Sequence, residues 1–431
     1  MSSRVSSRRW PARRVYLLIE SGHGFLFTLM GTVFSVYLIV DAGLGAFQLL
    51  ILGTVLELSV LLFEVPTGVV ADVVSRRASV IVGLVLSGAG FAITGAIQEF
   101  VWLAVGQALW GVGASFLSGA EEAWITDEVG EEAAATLYLR GAQAWQLGAL
   151  AGIPVSVAFG AIALGLPLVA SGIGFVVLAT FLVVVMPETN FHRTGDGERL
   201  RVLRTFSQGV RAVRRSHVLV LVMLVAALHG MATEGFDRLS QLHLLEGTSF
   251  PEVGSLGLVV WFGAIEAVGL VLPIAAAELL RRRADVASHA ATTKVLAAID
   301  GALIASVVAF GLSGAFWFAL AAYWTVAFLR EVRDPVFTAW LNRGLDASTR
   351  ATVNSMASQM DAVGQIAGGP TIGAVAITWG VPAALVAAGI LRAPALALYG
   401  RALGRGPREV PPSAIDVPIK LDVPGMPNAE P

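Results

Sequence analysis

Cysteine is absent from this 431-residue chain, which excludes disulfides, thiolate metal sites and thiol nucleophiles. Charge is scarce too: 14% of the residues are Asp, Glu, Lys or Arg and 56% are hydrophobic, where soluble domains carry about 25% and 45–50%. Lysine occurs only at Lys294 and Lys420. None of the six histidines stands in an HxxxH or HExxH spacing, so no metal site and no metal-dependent catalysis are expected. A phosphate-binding GxxxxGK(S/T) sequence is missing, so ATP is not expected to act on the chain directly. Segments of about ten residues in strict polar–apolar alternation are missing as well, which argues against an outer-membrane barrel. A net charge of −2 carries no partner information, and the basic clusters flank apolar runs, so nucleic acid is not an expected partner.

What the chain does have is apolar runs long enough to cross a hydrocarbon core of about 30 Å. The expected spans are 15–40, 46–70, 78–98, 101–123, 141–164, 166–186, 217–244, 254–277, 292–312, 315–334, 352–378 and 381–402, an all-α membrane protein of twelve helices. The basic N-terminus (Arg4, Arg8, Arg9, Arg13, Arg14) precedes a run too long for a cleaved signal peptide and reads as leading into the first span. One set of connecting loops holds no Lys or Arg, whereas the other holds Arg76, Arg77, Arg193, Arg199, Arg201, Arg204, Arg211, Arg214, Arg215, Arg281, Arg282, Arg283, Arg343 and Arg350. The positive-inside rule therefore puts both termini in the cytoplasm.

The longest polar interruption divides the spans six and six. The expected units are a bundle at 1–187, a linker at 188–216 with a basic amphipathic helix (RLRVLRTFSQGVRAVRR), a second bundle at 217–403, and a proline-rich disordered tail at 404–431. The bundles are related. A gapless shift of 216 residues carries Trp124, Gln143, Gly148, Gly152 and Pro154 onto Trp340, Gln359, Gly364, Gly368 and Pro370, so the fifth helix is the counterpart of the eleventh. Two six-helix repeats with a site between them at mid-membrane are a known transporter plan.

Between the second and third spans lies GVVADVVSRR, residues 68–77. Gly68, Asp72, Arg76 and Arg77 match the GxxxDxxGRR signature of the major facilitator superfamily, with Ser75 in place of the usual glycine, and on this motif and the six-plus-six plan the chain resembles that family over residues 14–403. Gly68 is expected to allow close helix approach, Asp72 to sit near a helix N-terminus, and the arginines to pair with Asp127 and Glu128. The resemblance implies a cytoplasmic latch that holds an outward-open state. A degraded copy, Glu278 with Arg281, Arg282 and Arg283, stands in the second half.

Gly148, Gly152 and Pro154 of the fifth helix resemble most of the GxxxGPxxGG motif of the family's drug/proton antiporters, with Ile153 as an extra residue. Gly364, Gly368 and Pro370 repeat the pattern. Small residues four apart allow tight packing between halves, and the prolines a hinge. An arginine usual early in the fourth helix is replaced near that place by Gln107, so coupling to protons would fall to carboxylates elsewhere.

Ionisable side chains inside a bilayer cost about 2.5–3.5 kcal/mol each on insertion scales, which makes each a functional candidate. In the seventh helix Glu234 and Arg238 are one turn apart with Asp237 beside them, a carboxylate pair sharing one arginine. Glu20 and His23 share a face of the first helix; Glu121 and Glu122 are in the fourth, about 100° apart. Glu57 and Glu64, seven apart, share a face of the second helix, and single charges stand at Glu266, Asp300, Asp361 and Arg392, the last two expected to neutralise each other. The leading reading is a secondary transporter working by alternating access and exporting amphipathic or lipophilic small molecules against protons, without cofactor or enzymatic activity. It would act as a monomer in the lipid bilayer of a bacterial cytoplasmic (inner) membrane. An importer or uniporter of a polar metabolite, for which Gln143, Gln146, Gln241 and Gln359 speak, and a non-transporting receptor stay open.

Overall fold

Serine opens three of the helices in the same way. Ser75, Ser216 and Ser288 accept hydrogen bonds from the backbone N–H of Ala78, Leu219 and Ala291 at 2.9, 3.3 and 3.1 Å, satisfying donors that a helix N-terminus leaves unpaired. The computed structural model describes residues 9–191, 213, 216–249, 251, 257–283, 288–343, 345 and 347–403. In chain order the helices are α1 (Ala12–Val36, continued by a π turn, Tyr37–Asp41), α2 (Ala46–Val73), α3 (Arg76–Ala96), α4 (Phe100–Leu117), α5 (Ala120–Val129), α6 (Glu131–Gly160) and α7 (Gly165–Val185). The second half has α8 (His217–Gly247), α9 (Gly257–Gly269), α10 (Leu272–Arg283), α11 (His289–Leu312), α12 (Phe316–Leu341), α13 (Ala347–Leu391) and α14 (Ala393–Leu403). The expected tail and most of the expected linker lie outside the described residues.

Among the described residues each expected span falls mostly on helix. Among the described residues nine segments are long and apolar enough to cross a membrane. α6 and α12 are not among them, because Gln143 and Gln146 dilute the one and Arg330, Glu331 and Arg333 the other. α13 holds two passes, parted at Gly380, whose φ of 85° lies in the left-handed region. The fourth span, expected at 101–123, breaks after Leu117 and ends at Val129, and the fifth and tenth move furthest. The fifth span starts at Glu131, not 141: Gly130 takes φ 82°, and Glu131 and Glu132 enter the first turn of α6, where the helix dipole favours them. The tenth runs on to Leu341, through Pro335.

The repeat seen in the sequence is visible in the packing. Gly24 of α1 lies against the backbone of Trp145, as Gly230 of α8 lies against that of Asp361. Gly148 and Gly152 of α6 face the carbonyls of Ser21 and Phe25, as Gly364 and Gly368 of α13 face those of Ala227 and Met231. The motif glycines expected to pack the halves together therefore pack helices within each half, because only a hydrogen at those positions lets the backbones approach so closely.

The halves meet elsewhere. Gly369 and Gly373 of α13 lie on Leu50, Thr54 and Phe47 of α2, Gly263 of α9 on Val157 of α6, and Gly160 on Val259. Gln146 Nε2 donates to the Leu270 carbonyl at 3.0 Å, where the break between α9 and α10 leaves that oxygen free. Apart from this last bond, at mid-depth, these contacts lie toward the face of the molecule away from Ala12 and Leu403, hereafter the far face. The near face is the side of Ala12 and Leu403.

Candidate functional site

Glu234 of α8 is 1% exposed and accepts from Arg238 Nε at 3.1 Å, the one-turn spacing expected of them. The pair does not sit within its own half alone. Gly53 of α2 lies directly under the Glu234 carboxylate and the Arg238 guanidinium, so that a Cβ there would overlap Glu234 Oε1. One turn further along α2, Glu57 is within electrostatic reach of Glu234, Arg238 and Asp361. Asp237, expected to share Arg238, instead takes Arg330 of α12 at 2.5 Å, because it adjoins Arg238 in the chain and points about 100° away from it round the helix. Arg330 also lies over the Phe236 ring, 5.1 Å from its centroid. Glu57 of one half thus lies in the field of the Arg238–Glu234 pair of the other.

In the N-terminal half Glu20 stands one turn from Tyr16 on α1 and interacts with it and with Glu122, and Glu121 interacts with both Glu20 and Glu122. Glu121 Oε1 is sealed from solvent without a hydrogen-bond partner. Tyr138 donates to the Glu122 carbonyl at 3.1 Å. His23, on the same face of α1 by spacing, turns away from these carboxylates and packs edge-on against Phe175 and Phe27, with ring centroids 5.4 and 6.1 Å apart. Phe27, Phe91 and Trp110 continue that aromatic cluster, which fills the half between α1, α3, α4 and α7.

The C-terminal half holds a buried node. Asp300 Oδ1 accepts from Arg333 Nε at 2.8 Å and from Arg392 Nη1 at 3.1 Å, while Oδ2 accepts from Tyr399 at 2.6 Å. Arg392 was expected to neutralise Asp361, but Asp361 accepts instead from Gln365 at 2.9 Å. One carboxylate binding two guanidiniums leaves cationic character over, and Arg333 Nη2 has no hydrogen-bond partner. Beside it His229 lies in the field of Arg333, Arg392 and Arg330, its Nδ1 also unpartnered. Glu266 stands near Tyr323.

At the near face the signature loop is only partly as expected. Arg76 binds Asp127 at 2.5 Å, the Ala123 carbonyl at 2.8 Å and Asp72 at 3.6 Å. Arg77 donates to the Val183 carbonyl. Glu128 meets neither arginine: it accepts from the backbone N–H of Thr189 and Asn190 at 2.6 and 3.0 Å, fixing the exit from α7. Space opens around Gly68, where a Cβ would meet nothing within 4 Å, so no helix approaches it in this conformation. Ser75, in the glycine's place, donates to Glu188 at 2.8 Å.

Arg330, Arg333 and Tyr399 were not singled out from the sequence. Ending the tenth span at 334, before Pro335, made REVRDP look like the polar end of a helix. The signal available was the spacing of Arg330 and Arg333, three apart and hence on one side of any helix that continued.

The family model described as Major Facilitator Superfamily matches residues 17–330. An uncharacterized MFS-type transporter, YxaM, from Bacillus subtilis (strain 168) is 22% identical over 391 residues, which are 89% of this chain and 94% of that protein. Among solved structures, the nucleoside transporter NupG aligns with 92% of this chain and 99% of its own at 13% identity, with a TM-score of 0.70. A bacterial homolog of the human lysosomal transporter Spinster, in an inward-facing and unoccupied conformation, aligns with 93% and 98% at 15% identity and a TM-score of 0.70. The peptide transporter POT in complex with sulfate aligns with 91% and 94% at 15% identity and 0.67.

Proposed function

The chain belongs to the major facilitator superfamily, and on that premise we propose that this multi-pass membrane transporter couples proton movement to the export of amphipathic small molecules. The observation that supports the proposal is the place of Glu57, across the seam from the Arg238–Glu234 pair and within its field. With the seam closed, one guanidinium balances one carboxylate, and the second carboxylate is relieved of its charge by a proton. With the seam apart, Glu57 and Glu234 separate, Glu57 loses its cation and meets water, and the proton can leave. A binding event that favours one seam state then shifts protons, which is the differential affinity that alternating access requires.

The direction of transport rests on the likeness of the α6 and α13 glycine–proline patterns to drug/proton antiporters. Uptake of a polar metabolite is the second reading, favoured by the density of charged groups in both halves. We place the protein in a bacterial cytoplasmic membrane with the near face inward, since Arg76, Arg77, Arg281, Arg282, Arg343 and Arg350 lie on that side. The test is proton flux in proteoliposomes enclosing a pH-sensitive dye, with lipophilic amines and neutral drugs added outside. Substrate-evoked proton movement that is lost in Glu57→Gln supports the reading; substrate equilibration without proton movement overturns it.

A further inference from the structure

The two arginines of the signature loop part ways. Arg76 is taken up by Asp127, Asp72 and the Ala123 carbonyl. Arg77, about 100° further round α3, reaches the near-face end of α7, where its guanidinium donates to the Val183 carbonyl. Among the described residues that is the guanidinium's one hydrogen bond, and Nε has no acceptor. Glu188 is within electrostatic reach, but its carboxylate is engaged by the Ser75 hydroxyl and the backbone N–H of Arg77 at 2.8 and 3.0 Å. A guanidinium carries five N–H donors, so most of the capacity of Arg77 is unused.

A second guanidinium stands beside it. The chain entering α1 is pinned to the same end of α7: Trp10 donates its backbone N–H to the Val185 carbonyl at 3.0 Å and packs edge-on against Phe181, with ring centroids 5.5 Å apart. Arg9 is thereby held in the field of Arg77, and it makes no hydrogen bond or ion pair among the described residues. Two like charges at close quarters with spare donors cost energy until an anion joins them. Trp10 is 43% exposed on this rim, the place an indole takes at the border of hydrocarbon and headgroups. From the rim inward the outer surface of α7 is an exposed apolar stripe, Phe181, Val177 and Ile173, one turn apart in succession. Ile173 lies twelve residues from the end of α7, about 18 Å, a little more than half of a hydrocarbon core of about 30 Å.

We propose that this rim binds one anionic phospholipid, its phosphate held between Arg9 and Arg77 and an acyl chain laid along Phe181, Val177 and Ile173 of α7. Charge complementarity selects the occupant. A phosphodiester accepts from both guanidiniums at once and supplies the anion that Glu188, already engaged, does not. In phosphatidylglycerol the rest of the headgroup is neutral, whereas phosphatidylcholine brings an ammonium up to the arginines. Arg13 and Arg14, exposed in the first turn of α1 with no acid in that turn, strengthen the same field. The site ties the entry of α1 to α3 and α7 within one half and leaves the seam untouched, so it stands apart from the transport reading.

The test is native mass spectrometry of the purified full chain, stripped of lipid in detergent and titrated with phosphatidylglycerol or phosphatidylcholine of identical acyl chains. The first phosphatidylglycerol is expected to bind at least about tenfold more tightly than phosphatidylcholine. Arg9→Gln and Arg77→Gln should each abolish that preference. Arg9→Gln is the cleaner variant, because Arg9 precedes α1 and its side chain ties nothing in the protein, so the fold does not depend on it. Arg281→Gln, at an arginine of the same face that Glu278 already holds at 2.8 Å, should keep the preference. Inorganic phosphate in large excess should leave the lipid bound; displacement by it would reassign the site to a free anion and overturn the proposal. Equal binding of the two lipids, or a preference that survives both arginine variants, overturns it as well.

Discussion

The carboxylate of Glu234 rests on Gly53, a residue of the other half of the molecule, in space that any side chain at position 53 would occupy. The contact joins the ion pair of α8 to the seam between the halves, so a side chain at position 53 must displace the Glu234 carboxylate and the Arg238 guanidinium for the seam to close.

Gly53→Val should therefore hold the seam apart. The chain has no cysteine, so one introduced at Thr54, which lies under Gly369, reports opening through its reaction with an aqueous maleimide. Labelling is expected to rise severalfold in the Gly53→Val background. Equal labelling in both backgrounds would show that the contact does not govern closure.

Glu57 and Glu234 should be non-equivalent to Asp237 in proton exchange. Removing either charge of this set, as in Glu57→Gln or Glu234→Gln, leaves Arg238 with one carboxylate in every state and no reason to exchange a proton. Asp237→Asn leaves the set intact, because Asp237 belongs to Arg330. Substrate-evoked dye response is expected to fall by about tenfold or more in the first two variants and to persist in the third. Equal loss in all three would return Asp237 to the coupling site.

The contrast between Asp237 and Glu57 shows how far the sequence could be read. Spacing along one helix is legible: Glu234 and Arg238 are one turn apart and pair, whereas the tie of Arg76 to Asp127 was legible only through the family's motif. Partners on other helices are not, because the sequence gives each helix its faces without fixing which neighbour a face meets. Asp237 with Arg330, Asp300 with Arg333 and Arg392, and Glu234 over Gly53 are all of this second kind. The glycines of α6 and α13 lie between. Their spacing announced close packing, but that the close partners are α1 and α8 of the same half emerged only with the three-dimensional arrangement. The fold itself was the most legible level, since long apolar runs, arginine asymmetry and a repeat at one offset constrain it from every part of the chain.

Ser75 should tolerate the family's glycine better than alanine. Its hydroxyl caps α3 at Ala78 N and binds Glu188, but Glu188 also accepts from the backbone N–H of Arg77 at 3.0 Å, which survives either substitution. At a helix N-cap, alanine costs about 1 kcal/mol and glycine a few tenths. Thermal unfolding in detergent should accordingly order the proteins wild type, Ser75→Gly, Ser75→Ala, from most to least stable. The reverse order would mean that the hydroxyl is not acting as a cap.

The Asp300 node should behave as a charged core whose parts are not interchangeable. Asp300 is fully buried, with Arg333 and Arg392 only 2% and 5% exposed. Asp300→Asn removes the carboxylate and strands two guanidiniums, and breaking a buried pair from one side costs about 3–5 kcal/mol. Tyr399→Phe removes one hydrogen bond to a charged acceptor, worth about 1.5–3 kcal/mol, and leaves both arginines bound to the carboxylate. The unfolding midpoint of Asp300→Asn should thus fall well below that of Tyr399→Phe. Replacing Asp300 and Arg392 together, with Leu at both, should recover part of the loss, since Arg333 then keeps only the distant, exposed Asp334 at 3.8 Å while one stranded cation is gone. If the double variant is no more stable than Asp300→Asn, the node holds its helices by shape rather than by charge.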